Sequence, residues 1–265
     1  MMLNTKGGLM DASHVQTVAL DDFEMSYETR GDGEPLVLLH GGTGIGANWD
    51  LVFDEPPAGY RLIIPDLRGH GASTNPSGEI TIQQLALDVL ALLDHLGLAR
   101  ASAIGMSLGA KTLLHVATLR PARLETMVLV SATPYFPEQA RAIMRQVDPE
   151  HQSEAEWQKM RQWHKHGDQQ ILALWRMVNA FADSYTDHSF TPPHLATIRA
   201  RTLIVHGDRD PLYPVSLALG MYEAIPRSYL WVVPDGGHCP IFGDAAPVFR
   251  ETALQFLHAA GQGRG

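Results

Sequence analysis

Gly105-Met106-Ser107-Leu108-Gly109 spells G-x-S-x-G, a pattern that turns a serine hydroxyl up from a sharp strand-to-helix bend. The serine backbone is strained in such a bend, and a side chain at either glycine would strike the neighbouring strand or helix. The flanks meet the requirement: 100–104 reads as a short buried strand and 110–119 as a helix with an apolar face. An exposed serine can act as a nucleophile, but only with a base to take its proton and an acid to orient the base. In this setting the partners follow in the order serine, acid, histidine. Both should sit just beyond strand ends, where loops converge over a sheet.

The apolar run 202–206 leads into Gly207-Asp208-Arg209-Asp210-Pro211. Asp210 lies past the tight turn and can aim a carboxylate back over the sheet, whereas Asp208, inside the turn, is expected to bond local backbone amides. The other place for an acid, after 124–130, reads Ser131-Ala132-Thr133-Pro134 and holds no carboxylate. The base follows 229–233 in Pro234-Asp235-Gly236-Gly237-His238. His238 is the only histidine that follows a strand after Asp210, and the double glycine is expected to let its loop bend towards the serine. His40 and His206, at strand ends, are read as loop supports.

Attack by serine on a carbonyl builds an oxyanion that needs two backbone N–H donors. Leu108, directly after the serine at a helix N-terminus, is one candidate. The other lies in His40-Gly41-Gly42-Thr43-Gly44, where glycines permit close approach. Gly42 is the expected donor, and Gly41 is expected beside the substrate. No Gly-Lys-Ser/Thr follows, so this is not a phosphate loop.

The elements that must position these residues alternate between apolar runs and helical periods. Strands are expected at 15–20, 23–29, 35–40, 61–65, 100–104, 124–130, 202–206 and 229–233, the first two as an antiparallel start. Apolar residues at 82, 85, 89, 92, 93 and 96 make 80–96 an amphipathic helix that ends before Gly97. A further helix, 247–259, closes the chain. Strands separated by helices predict an α/β fold with a mostly parallel sheet covered on both faces. The stretch 135–197 breaks the alternation: it shows helical spacing and no strand, and holds three of the five tryptophans. It reads as a helical lid inserted into a core formed by 15–134 and 198–260. Trp157 and Trp175 are expected in its apolar ceiling over the site. Residues 1–14 and 261–265 read as loose tails.

Composition narrows the partners. The 265 residues carry a formal charge of −9, with no basic run or stripe, so nucleic acid is not an expected partner. No run of about 18 apolar residues predicts a membrane span. The N-terminal stretch has no apolar core of signal-peptide length. Cys239, the single cysteine, allows no intrachain disulfide, which fits a reducing compartment, and a cytoplasmic location is expected. Cys239 has no base of its own and is read as packing beside His238. There is no His-Glu-x-x-His, and His164-x-His166 alone is no metal site, so no metal or cofactor is expected.

With these pieces in place the chain resembles the α/β-hydrolase family. The resemblance rests on His40-Gly41-Gly42, the segment from Asp66 to Ser73, Gly105–Gly109, Gly207–Asp210 and Gly236-Gly237-His238, in the family's order. It implies an eight-stranded sheet whose second strand is antiparallel, and a helical cap after the sixth strand. It also implies Ser107, Asp210 and His238 as the catalytic triad, with Gly42 and Leu108 as oxyanion donors. The segment from Asp66 to Ser73 is expected to shape a loop and is given no catalytic role. A serine nucleophile separates the chain from haloalkane dehalogenases and epoxide hydrolases, which use aspartate. The glycine loop is similar to that of C–C bond hydrolases, but those carry tryptophan after the catalytic histidine, where this chain has Cys239. The chain looks more like the small bacterial esterases and cofactor-free perhydrolases. The expected activity is hydrolysis of small to medium, largely apolar carboxylic esters. Lactonase, perhydrolase and C–C hydrolase are the alternatives on the same triad, and a ligand receptor is the alternative without catalysis.

Overall fold

The computed structural model describes residues 14–261. The expected tails fall almost wholly outside that range; His14 opens the first strand and Gly261 ends the last helix. In chain order the elements are β1 (His14–Leu20), β2 (Phe23–Arg30), β3 (Glu34–Leu39), β4 (Tyr60–Pro65), α1 (Ile82–His95), β5 (Ala101–Met106), α2 (Leu108–Leu119) and β6 (Leu124–Val130). Then come α3 (Glu138–Met144), α4 (Glu154–Trp163), α5 (Asp168–Ala180), α6 (Pro192–Leu195), β7 (Arg201–Gly207), α7 (Val215–Ala224), β8 (Ser228–Val233) and α8 (Ala246–Gly261).

The eight strands form one sheet in the order β1-β2-β4-β3-β5-β6-β7-β8. β2 pairs antiparallel with both β1 and β4, and every other pairing is parallel. The inner parallel strands are buried on both faces, which is why they read as unbroken apolar runs rather than alternating ones, whereas the edge strand β8 is only part-buried. Side chains of β3 divide accordingly. Leu36 and Leu38 join one core with Trp49, Phe53 and Phe249 of α8. Val37 and Leu39 join the other core, with α1 and α2. On β6, Val128 and Val130 face the first of these cores while Met127 and Leu129 face the second.

Local signals explain the helix boundaries. Thr81 caps α1 by accepting the Gln84 N–H at 3.1 Å, and Gly97, at φ 66°, follows its end. Asp187, from the stretch between β6 and β7, accepts the N–H groups of Ile82 (2.8 Å) and Gln83 (3.2 Å) at the start of α1. A carboxylate there satisfies two orphan donors and faces the positive end of the helix.

Between β6 and β7 the chain is helical, and its two ends are pinned together. Phe190 N–H donates to Pro134 O (2.8 Å), and Tyr135 and Ser189 form an antiparallel bridge. Buried Arg141 donates to the carbonyls of Phe136, Ala182 and Ser184, tying α3 to the turn after α5. The loop after β4 receives this stretch. Gly71 N–H donates to His164 Nδ1 (2.9 Å), Lys165 N–H to Gly71 O (2.9 Å), and His164 Nε2 donates to Thr43 O (3.2 Å). No helix of the described residues is long and apolar enough to cross a membrane.

Candidate active site

The bend predicted at Ser107 is present. Ser107 has φ 50° and ψ −105°, a left-handed conformation that a non-glycine residue adopts only when its surroundings impose it. Its surroundings do so. Ser107 N–H donates to Val130 O at the end of β6 (2.8 Å), and Gly109 N–H donates to His40 O after β3 (3.0 Å). Both glycines are obligatory. A Cβ on Gly105 would lie 2.6 Å from Gly109 C and O, and one on Gly109 would lie 2.3 Å from Leu39 O. Those target atoms are backbone and cannot give way.

Ser107, His238 and Asp210 come together from the ends of β5, β8 and β7. His238 Nε2 lies 2.9 Å from Ser107 Oγ, and His238 Nδ1 lies 2.8 Å from Asp210 Oδ2. The other oxygen of Asp210 accepts the N–H groups of Leu212 (2.8 Å) and Tyr213 (3.2 Å). Burial pushes the Asp210 carboxyl up, but the hydrogen bond and charge of His238, with the two amides, outweigh it and hold the group below its ordinary value. Asp210 therefore makes the amide bonds expected of Asp208, while Asp208 lies exposed beside Arg209. Buried His206 supports this loop by donating from Nε2 to Tyr213 O (2.8 Å). The Tyr213 ring meets the His238 imidazole edge-on, with centroids 5.2 Å apart.

The loop that carries His238 bends differently from the expectation. The left-handed residue is Asp235, at φ 55°, and neither Gly236 nor Gly237 has a positive φ. The glycines serve close packing instead. A Cβ on Gly207 would lie 2.2 Å from Gly236 O, and one on Gly236 would lie 3.0 Å from Gly207 Cα. Arg209 N–H donates to Gly236 O (2.8 Å), so the Asp210 and His238 loops are fastened to each other.

The Gly41-Gly42 loop lies against the bend. A Cβ on Gly41 would come within 3.7 Å of Ser107 Cβ, and one on Gly42 within 3.9 Å of Leu108 Cβ. Leu108 is the first helical residue, so its N–H has no acceptor within α2. The loop is shaped by Gly44 N–H donating to Gly41 O (3.1 Å) and by buried His40, whose Nδ1 donates to Gly41 O (2.8 Å) and whose Nε2 accepts from Leu67 N–H (3.0 Å). Asp66 accepts from Gly46 and Ala72 N–H, a loop-shaping task in line with the role read for its segment.

A cavity of about 250 Å³ opens over Ser107 and His238. Gly41, Gly42, Leu108 and Cys239 border it, and its apolar wall is built by Phe136, Met144, Val147, Met177, Val178 and Phe181. Trp157 and Trp175 are not among the lining residues. They pack edge-to-face on each other, with centroids 4.6 Å apart, between α4 and α5. The expectation that Trp157 and Trp175 stand in the apolar ceiling is corrected: the tryptophans seal one helix to the next, and methionine, valine and phenylalanine face the cavity. Their size and apolarity serve helix packing equally well, so spacing alone could not separate the two roles. Lys111 and Tyr213 also line the cavity and were missed. The available signal for Lys111 was a charge inside the otherwise apolar run of α2. Cys239 borders the cavity but is exposed, which corrects its reading as a packing residue; partial desolvation raises its thiol above the ordinary value, so it stays protonated. Among the described residues no group of His, Cys, Asp and Glu is placed to hold a metal.

Comparison with known proteins agrees with this architecture. Residues 36–251 match the model of the alpha/beta hydrolase family. The chain is similar to a 2-hydroxy-6-oxononadienedioate/2-hydroxy-6-oxononatrienedioate hydrolase of Pseudomonas putida, 30% identical over 89% of this chain and 92% of that one. It is similar to a pimeloyl-[acyl-carrier protein] methyl ester esterase of Nitrosomonas europaea, 26% identical over 80% and 92% of the two chains. The structure of a thermophilic esterase from Thermogutta terrifontis shares the fold at TM-score 0.74 and 22% identity, covering 94% of this chain and 99% of that one. Sheet order, the bend at Ser107 and a family match across most of the chain converge, and the protein belongs to the alpha/beta hydrolase family.

Proposed function

We propose that the chain is a serine hydrolase that cleaves carboxylic esters of small to medium, largely apolar substrates through an acyl-enzyme. The observation that carries this reading is the unbroken relay from Ser107 Oγ to His238 Nε2 (2.9 Å) and from His238 Nδ1 to Asp210 Oδ2 (2.8 Å). His238 takes the Ser107 proton as Oγ bonds to the ester carbonyl carbon, and Asp210 holds the imidazole tautomer and balances the imidazolium. The tetrahedral oxyanion sits between the N–H groups of Gly42 and Leu108, the latter aided by the dipole of α2. Its collapse expels the alcohol, which takes the proton from His238. Water, deprotonated by His238, then attacks the acyl carbon, and Ser107 leaves with the proton restored. The stretch 135–197 acts as a cap whose apolar side chains hold the acyl chain, with Gly41 beside the substrate.

A second reading is C–C bond hydrolysis, supported by the full-length similarity to the Pseudomonas putida enzyme named for that type of substrate. Parallel assays on p-nitrophenyl esters of graded chain length, a lactone and a vinylogous diketone separate these activities. Repeated turnover distinguishes any of them from a binding protein. Ser107→Ala is expected to lower ester turnover by about 10⁶-fold, with the acyl adduct on Ser107 lost from the intact-mass spectrum. Full activity in that variant would overturn the nucleophile.

A further inference from the structure

Lys111 occupies an unusual place. It lies in the first turn of α2, four residues after Ser107, and its side chain is almost wholly buried in the cavity wall. A cation is disfavoured there twice, by the positive end of the helix and by removal from water. Its one hydrogen bond goes from Nζ to the Tyr213 hydroxyl (3.0 Å), leaving two of three donors unspent. No carboxylate of the described residues pairs with it. Asp210, which attracts it from a distance, has its oxygens engaged by His238, Leu212 and Tyr213. Near it lie the Phe136 and Tyr213 rings, centred 5.4 and 5.2 Å from Nζ, and His188, which burial keeps neutral.

A buried ammonium with spare donors is stabilised by an acceptor, and without one it sheds its proton more readily. Burial pushes the Lys111 ammonium down to about 7, so the protein itself leaves the charge poorly compensated. Lys111, Phe136 and Tyr213 all border the cavity, so an acceptor bound there lies beside this cluster.

We infer that Lys111 is a specificity residue that receives an anionic oxygen of the substrate, so that the cavity favours esters whose acyl part ends in a second carboxylate. This rests on the reading of the Ser107 cavity as the catalytic site. The apolar side chains of Phe136, Met144, Met177 and Phe181 would then hold the methylenes between the ester and that carboxylate.

The test compares monomethyl succinate, glutarate and adipate with their dimethyl counterparts, on the wild type and on Lys111→Met, which keeps chain length and drops the charge. For at least one length the wild type is expected to favour the monomethyl ester on the order of 10-fold in kcat/KM. That ratio is expected to fall at least about 10-fold in Lys111→Met. An unchanged ratio overturns the role of Lys111. Calorimetric titration of Ser107→Ala, with and without Lys111→Met, reads the same preference without turnover, and Lys111→Gln serves if the methionine variant does not fold. If the wild type hydrolyses neither ester but the titration keeps a Lys111-dependent preference, the ester reading falls and the anion site stands. Equal affinities for the two esters sink the anion site, whatever the turnover.

Discussion

The cavity is built from two unlike materials. Its sheet side comes from loops after β3, β5 and β8, and there the Ser107 hydroxyl lies 2.9 Å from the His238 imidazole beside the backbone of Gly41, Gly42 and Leu108. Its helical side comes from the stretch between β6 and β7, and there Met144, Val147, Met177, Val178 and Phe181 present only carbon and sulfur. The sheet side tolerates no added side chain at Gly105, Gly109 or Gly207, where a Cβ would strike neighbouring backbone. The helical side is held by apolar packing, which accepts volume-conserving exchange at little cost. The contrast assigns chemistry to one side and selection of the acyl chain's length to the other.

The sharpest way to break this division is on the sheet side. Asp210→Asn is expected to keep the fold and lower kcat by about 10⁴-fold, as the same change does in other serine triads. A loss under about 10-fold in stopped-flow acylation would remove Asp210 from the relay. On the helical side, Phe181→Ala enlarges the cavity beside Phe136, against which its ring stacks at 5.4 Å. The optimum acyl length should move to longer chains, with kcat/KM changing roughly 10-fold for each. An unmoved profile would show that this wall does not select. Trp175→Ala supplies the contrast within the helices. It should destabilise the protein by about 3–5 kcal/mol, read by urea titration, and leave the chain-length profile in place.

The smallest effect is a dependence of stability on pH. Burial lowers His164 to about 4, and lowers His40, His70, His115 and His188 as well. A histidine whose folded value lies below its unfolded one contributes fully above about 6.5 and loses that contribution as pH falls towards the folded value. Protonation of His164 would also set two N–H groups against each other at Gly71. Asp210 behaves in the acidic sense: its contribution persists above 3.8 and goes only as pH falls through its lower folded value. Between pH 6.5 and 4.5 the melting temperature should therefore drop while the Asp210 carboxylate stays ionised. A flat melting temperature across that interval would contradict the burial of these histidines.

The same division decided what could be read from the chain. The strands were legible to within a residue or two, the central ones because a parallel strand buried on both faces must be apolar throughout. Ser107, Asp210 and His238 were legible because each follows such a run, and local backbone demands mark the place. Helices α3 and α7 were not. Arg141 is buried in α3 through bonds to carbonyls far along the chain, which no local pattern announces. The bend before His238 falls on Asp235, because a glycine pair signals permission for a turn without saying which residue turns. Trp175 reversed its expectation and Lys111 went unread for one reason: the direction of a helical side chain depends on what the helix is laid against. An aromatic then became mortar, and a cation became lining.

The backbone at Ser107 has one further consequence. Its curvature is imposed by Val130 O, His40 O and two glycines, none of which touches the hydroxyl itself. The address of the reactive atom is thus written in the main chain, and its chemical identity is a separate choice. Exchanging residue 107 for another short nucleophile would alter which bonds can be attacked while the scaffold beneath went on folding as before.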